Sequence, residues 1–303
     1  MLQSRGLIDF KDVGREQVLD LFRKTREIKR NSGRKENHSD KPLSRIAALV
    51  FFEASTRTRM SFEAACVRTG FYPLRLDSKE SSSLSKGETP LDTIENIAAM
   101  GPDVFIIRAG KELDFQEVAR RIPQPILSGG SGTISHPTQA LLDAYTLWET
   151  NQNLETEKVV IIGDIDHSRV AASHKCLAHI MGYDLKFCGP EQWTGTVTTP
   201  TKVTLNEAFE KATALMFLRV QKERHVNLSE NDLDQYQREF CLSEKNSNRL
   251  RAGQKIMHPG PVNYGVEIDS QTARHSQSLI LDQVKNGVYL RQALLESVKD
   301  QLQ

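Results

Sequence analysis

Three hydroxyls and two guanidiniums stand in a row at Ser55, Thr56, Arg57, Thr58 and Arg59, separated from the apolar run Ile46–Phe52 only by Glu53 and Ala54. Residue types of this kind hold anions. Ser and Thr donate neutral hydrogen bonds, Arg adds a planar charged fork, and a helix N-terminus contributes unpaired N–H groups and the positive end of its dipole. The plainer alternative is a Ser55 or Thr56 cap beside solvated arginines. Five such residues after a buried strand favour the anion, whose identity the stretch alone leaves open.

More groups of this kind recur where apolar runs end. Arg108 follows Val104–Ile107, and His136-Pro-Thr-Gln139 follows the Gly-rich Gly129–Gly132. Asp164-Ile-Asp-His-Ser-Arg169 follows Val159–Gly163, Arg219-Val-Gln221 follows Ala214–Leu218, and His258-Pro-Gly-Pro-Val-Asn263 follows Lys255–Met257. In open α/β sheets, ligands bind beyond the carboxyl ends of the strands. Four arginine-bearing strand ends are therefore candidates for one polyanionic site, the alternative being a basic surface without a ligand.

The elements that must position these groups alternate in type. Further strands are predicted at Asp184–Cys188, and helices at Ser61–Thr69, Thr89–Met100, His136–Thr150, Ser168–Met181 and Leu281–Leu302. Strand–helix alternation predicts an α/β protein of two domains, each a parallel β-sheet flanked by helices, joined by bridging helices. The polar stretch Asn151–Lys158 precedes the second series of strands. The expected domains are 1–135 with 286–303, and 136–285. The charged stretch Lys24–Lys41 reads as a solvated helix end and loop.

Composition limits the partners. With 40 Lys and Arg against 39 Asp and Glu in 303 residues, no net field points to nucleic acid or an anionic membrane, so anion binding is local. No apolar run approaches the ~20 residues of a membrane span, and the N-terminus lacks a signal core, which together predict a cytoplasmic chain. The four cysteines form no C-x-x-C pair and the histidines no H-E-x-x-H pattern, so neither a metal nor a cofactor is expected.

Taken together, Ser55-Thr-Arg-Thr-Arg59, Ser82-Ser-Leu-Ser-Lys-Gly-Glu-Thr89, His136-Pro-Thr-Gln139, His167-Ser-Arg169, Arg219-Val-Gln-Lys-Glu-Arg224 and His258-Pro-Gly-Pro261 resemble the motifs of the transcarbamoylase family, in the family's order. R-V-Q-K-E-R, and H-P-G-P where ornithine-using members carry H-C-L-P, favour aspartate as acceptor. The resemblance implies that Ser55, Thr56, Arg57, Thr58 and Arg108 hold the phosphate of carbamoyl phosphate. It places Thr58, Arg108 and His136 around the carbamoyl oxygen and Gln139 at the amide. Ser82 and Lys86 would enter from a neighbouring subunit of a homotrimer with shared sites. Arg169, Arg219 and Gln221 would take the acceptor's carboxylates with Lys86, Arg224 would order the acceptor loop beside Glu223, and Pro259 and Gly260 would offer carbonyls to the amine. The implied reaction moves the carbamoyl group to the α-amine of L-aspartate in pyrimidine biosynthesis, with no covalent intermediate.

The sequence departs from the family at Tyr264, where relatives continue V-N-R-G-V-E-I, and at Ala54 and Ala109. A phenol cannot make the forked contact of a guanidinium. Two alternatives therefore stand beside aspartate: another acceptor amino acid, or a non-catalytic homologue serving as an interaction subunit. A higher assembly with regulatory or pathway subunits is left open.

Overall fold

The computed structural model describes residues 6–32, 44–76, 87–132, 134–195, 201–222 and 229–302. The chain divides into two compact units, residues 1–142 with 284–303, and residues 143–283.

In the first unit, β1 (Gly6–Leu7), β2 (Arg45–Phe51), β3 (Phe71–Leu76), β4 (Val104–Ala109) and β5 (Ile126–Ser131) form a parallel sheet in the order β1-β5-β4-β2-β3. Around it in sequence lie α1 (Arg15–Asn31), α2 (Thr56–Thr69), α3 (Pro90–Ala99), α4 (Phe115–Arg121) and the start of α5 (Pro137–Asn151). The central strands read as unbroken apolar runs because both faces are covered. Ala48, Val50, Phe105 and Ile107 pack with Ile94, Phe115 and Val118. Burying a large apolar side chain contributes about 1.5–3 kcal/mol, so the strand ends sit on a stiff base.

The helix expected from Ser61 starts earlier. Ser55 is extended (φ −161°) and Thr56 is already helical, so the S-T-R-T-R stretch forms the first turn of α2 rather than a turn before it. The helix ends at Gly70, whose φ of 82° lets its N–H reach back to the Cys66 carbonyl.

In the second unit, β6 (Lys158–Ile162), β7 (Asp184–Cys188), β8 (Ala214–Phe217) and β9 (Lys255–Met257) pair in parallel in the order β7-β6-β8-β9. The helices are α6 (Arg169–Met181), α7 (Glu191–Thr194), α8 (Leu205–Lys211) and α9 (Glu230–Phe240). Val160, Ile162, Leu215, Phe217 and Ile256 pack against Phe209, Leu242 and Ile268. The division between the units falls inside α5 and inside α10 (Ile280–Gln301), so two helices carry the chain across it.

Each sheet has a switch point. From β2 the chain adds β3 on one side, then returns to place β4 on the other. From β6 it adds β7, then returns to place β8 opposite. Crevices open at the carboxyl ends of such strand pairs. The polar groups after β2 and β4, and those after β6 and β8, lie at those two ends.

Candidate active site

In the first unit the α2 terminus differs from most of its counterparts. Helices α3, α8 and α9 close their first turns with Thr89–Asp92, Thr204–Glu207 and Ser229–Asp232 capping boxes. The α2 cap, Ser55, makes no side-chain capping bond, and no acidic residue lies in the first turn. Arg57 is exposed there, while Thr58 is buried. Cations at the positive end of a helix dipole oppose it, so this turn suits an incoming anion.

Arg108 reaches the same region from β4. It registers opposite Phe51, and its carbonyl accepts the Phe52 N–H at 2.8 Å. Its Nη1 donates to the Gly129 carbonyl at 3.1 Å, and Nε lies 3.5 Å from Glu53 Oε2. The guanidinium is thus held between the exit of β2 and the end of β5. From β5 the chain turns through a Ser131–Ser135 bridge into α5. There the His136 carbonyl accepts the N–H groups of Gln139 and Ala140, at 3.1 and 3.2 Å. Thr138 Oγ1 donates to the Ser128 carbonyl at 3.2 Å, pinning this helix start to β5. His136 and Gln139 are both buried.

In the second unit Arg169 is the first residue of α6. It is 7% exposed, and no acid accompanies it in that turn. Asp164, fully buried at the end of β6, accepts from His167 Nδ1 at 2.7 Å and from the Gln221 N–H at 3.3 Å. Gln221 Nε2 donates to the His167 carbonyl at 2.9 Å. The turn that leads into Arg169 and the segment bearing Arg219 are thereby stitched together, with Arg219 half-buried beside Val220 and Gln221.

The segment after β9 completes this end of the sheet. The Gly260 N–H donates to His258 Nδ1 at 2.8 Å, which leaves Nε2 as the protonated nitrogen, 3.9 Å from Glu267 Oε2. The His258 N–H donates to Gln283 Oε1 at 2.9 Å, and Gln283 Nε2 donates to Asp143 Oδ1 at 2.7 Å. These bonds hold Pro259 and Gly260 in place. Burial pushes the Glu267 carboxyl above its ordinary value of 4.5, against hydrogen bonds from Val220 and Asn263 that favour its ionised form.

Ser82 and Lys86, and Arg224 with Glu223, lie outside the described residues. Tyr264 is exposed, and the turn it occupies is closed without its side chain by the Gly265 N–H to the Ile268 carbonyl, 3.0 Å. Glu53 and Glu267 were not among the sequence candidates, and Asp164 stood only at the head of the polar cluster after β6, with no role assigned. Asp164 and Glu267 each interrupt an apolar context, Gly163-Asp-Ile165 and Val266-Glu-Ile268, which is the one signal that would have marked them. Burial raises the thiols of Cys66 and Cys188 to about 12 and that of Cys241 to about 11, so these three stay protonated and weakly nucleophilic near neutrality. Among the described residues, no group of three His, Cys, Asp or Glu side chains is placed to hold a metal ion, and no helix is long and apolar enough to cross a membrane.

Comparison with known proteins gives a consistent result. Residues 5–149 match the family model described as aspartate/ornithine carbamoyltransferase, carbamoyl-P binding domain, and residues 155–298 match its Asp/Orn binding domain. The aspartate carbamoyltransferase catalytic subunit of Legionella pneumophila (strain Lens) is 43% identical over 258 residues, covering 84% of this chain and 86% of that one. The catalytic subunit of the same name from Streptococcus pneumoniae (strain CGSP14) is 37% identical over 296 residues, 96% and 94% of the two chains. The crystal structure of aspartate transcarbamoylase from Trypanosoma cruzi in complex with carbamoyl phosphate superposes with a TM-score of 0.84 at 25% identity, covering 98% of this chain and 96% of that one.

Proposed function

The chain belongs to the aspartate/ornithine carbamoyltransferase family, and from that premise we propose that it transfers the carbamoyl group of carbamoyl phosphate to the α-amine of L-aspartate, giving N-carbamoyl-L-aspartate and phosphate. The first unit takes carbamoyl phosphate and the second takes aspartate. Arg169, at the start of α6, and Arg219, in the segment after β8, carry this assignment from the two sides of the switch point of the second sheet. A dicarboxylate needs two separated cations, whereas two guanidiniums would repel the side-chain ammonium of ornithine.

The residues divide the work as follows. The N–H groups of the first turn of α2, with Ser55, Thr56, Arg57 and Thr58, hold the phosphate, and Arg108 reaches it from β4. Thr58, Arg108 and His136 donate to the carbamoyl oxygen as negative charge develops there, and Gln139 binds the amide. Each donor at a developing oxyanion is worth roughly 2.7–4 kcal/mol. Arg169, Arg219 and Gln221 fix the acceptor's carboxylates, and the carbonyls of Pro259 and Gly260 orient its neutral amine. Bringing amine and carbonyl carbon together supplies an effective molarity of up to ~10⁵–10⁸ M. The amine attacks, the C–O bond to phosphate breaks, and phosphate departs without a covalent enzyme intermediate.

We further propose a homotrimer in which Ser82 and Lys86 enter a neighbour's site, with Arg224 ordering the acceptor loop. Exposed Met60 and Val67 on α2, and Tyr72 and Leu74 on the edge strand β3, support an interface on the first unit. A cytoplasmic location and a step in pyrimidine biosynthesis complete the proposal. The test is formation of carbamoyl-aspartate from carbamoyl phosphate and L-aspartate, with L-ornithine in parallel. Turnover with aspartate alone is expected. Turnover with ornithine, or with neither in a folded protein that still binds phosphonate analogues, would overturn the assignment.

A further inference from the structure

Glu267 has no part in the reaction as described, yet two segments of the acceptor site meet on it. It is fully buried. Oε1 accepts the Val220 N–H at 2.7 Å and Asn263 Nδ2 at 2.9 Å, and Oε2 accepts the Asn263 N–H at 2.8 Å. Val220 stands between Arg219 and Gln221, while His258, Pro259, Gly260 and Asn263 belong to the segment after β9. The two Asn263 bonds alone would close the 263–267 turn. The Val220 bond does something else, because it joins positions 47 residues apart.

A buried carboxylate is costly unless several donors converge on it. Here three do, from two segments. An apolar side chain of the same volume would leave the buried Val220 N–H without an acceptor, at a cost of about 1–3 kcal/mol. Nor could it set the distance from the Arg219–Gln221 backbone to the Pro259–Gly260 carbonyls.

We propose that Glu267 is a positioning residue for the acceptor amino acid, its single carboxylate setting the spacing between the cationic loop at Arg219–Gln221 and the carbonyls at Pro259–Gly260. This rests on the carbamoyl-transfer function proposed above. In Glu267→Gln the shape is kept, but the amide NH₂ faces an N–H donor on one of the two segments. In Asn263→Ala the Nδ2 bond alone is lost.

The test is steady-state kinetics of both variants beside the unaltered protein, with aspartate and carbamoyl phosphate varied separately and thermal melts in parallel. Glu267→Gln is expected to raise KM for aspartate roughly 10–100-fold, from the loss of bonds to a charged group, with KM for carbamoyl phosphate within about twofold. Asn263→Ala is expected to raise KM for aspartate by about 2–10-fold. Variants that melt earlier but keep an unchanged KM for aspartate would overturn the positioning role and leave only a structural one. An unaltered protein that makes no carbamoyl-aspartate would instead sink the function itself, and this inference with it.

Discussion

Gly163→Ala tests whether the end of β6 is built as tightly as the site requires. Gly163 has a φ of 126°, and a Cβ there would lie 2.9 Å from Tyr236 Oη and 3.2 Å from the Leu218 carbonyl oxygen. The left-handed backbone costs a residue with a side chain about 1–3 kcal/mol, and the overpacking adds about 1–3 kcal/mol. A loss of roughly 2–6 kcal/mol is therefore expected. The hydroxyl's share can be separated. Tyr236 is buried, its ring centroid 4.9 Å from that of Trp193, and its hydroxyl has no hydrogen-bond partner among the described residues. Tyr236→Phe deletes the closest obstacle, so the double variant should recover about 0.5–3 kcal/mol relative to additivity.

Both tryptophans, Trp148 and Trp193, lie in the second unit, so denaturant unfolding followed by tryptophan fluorescence reports on that unit. The functional effect is local too. Asp164 follows Gly163 and Arg219 follows Leu218, so forcing these backbones apart should raise KM for aspartate and leave phosphonate binding unchanged. If Gly163→Ala unfolds within about 0.5 kcal/mol of the unaltered protein, or if Tyr236→Phe adds to it independently, the close approach described here is wrong.

Two further outcomes are expected. Arg57→Ala, Arg108→Ala and His136→Ala should each cut turnover about 10²–10³-fold with little change in melting temperature; a large fall in Tm with normal activity of the folded fraction would assign them to the fold instead. Hydrogen bonds from the Thr204 backbone, then from Lys211 and the Thr204 hydroxyl, hold the Glu207 carboxyl at about 2, below its ordinary 4.5. Because the folded value is the lower one, this stabilisation is fully present above pH 4.5 and is lost as the pH falls toward 2. Glu207→Gln should flatten that part of an acid-unfolding profile, and an unchanged profile would refute the capping role.

How much could be read in advance differed from element to element, for physical reasons. Strands β2, β4, β6 and β8 are buried on both faces, so Ala47–Phe51 and Val104–Ile107 are plain apolar runs. β3 escaped notice because it is an edge strand, where Tyr72, Leu74 and Arg75 face outward and Pro73 interrupts the pattern. β5 was disguised by Ser128, Gly129 and Gly130, all buried despite their small or polar side chains. In α1 the apolar stripe of Val18, Leu21 and Phe22 is thin against its many charges. Among site residues, arginines and hydroxyls were legible because their chemistry points outward to a ligand. The roles of Asp164 and Glu267 as ties between segments were not, because the donors that make those ties, Gln221 and Val220, are distant in sequence.

The placement of charge at helix starts explains why the site was legible at all. A helix that only has to be stable gains from an acid in its first turn, typically about 0.3–1 kcal/mol. Helices α3, α8 and α9 have one, at Asp92, Glu207 and Asp232. Helices α2 and α6 put arginines there and no acid. They are also the two helices that leave the central strands β2 and β6 at the switch points of their sheets. A preference for stability alone would not single out these two positions. The same cations that oppose the dipole would attract an anionic ligand to it, so the local departure from good helix design and the expected binding role have one cause. Replacing Arg169 with Glu should therefore leave α6 intact while abolishing saturation by aspartate, and an Arg169→Glu protein that still saturates would refute the role of this helix start in binding the acceptor.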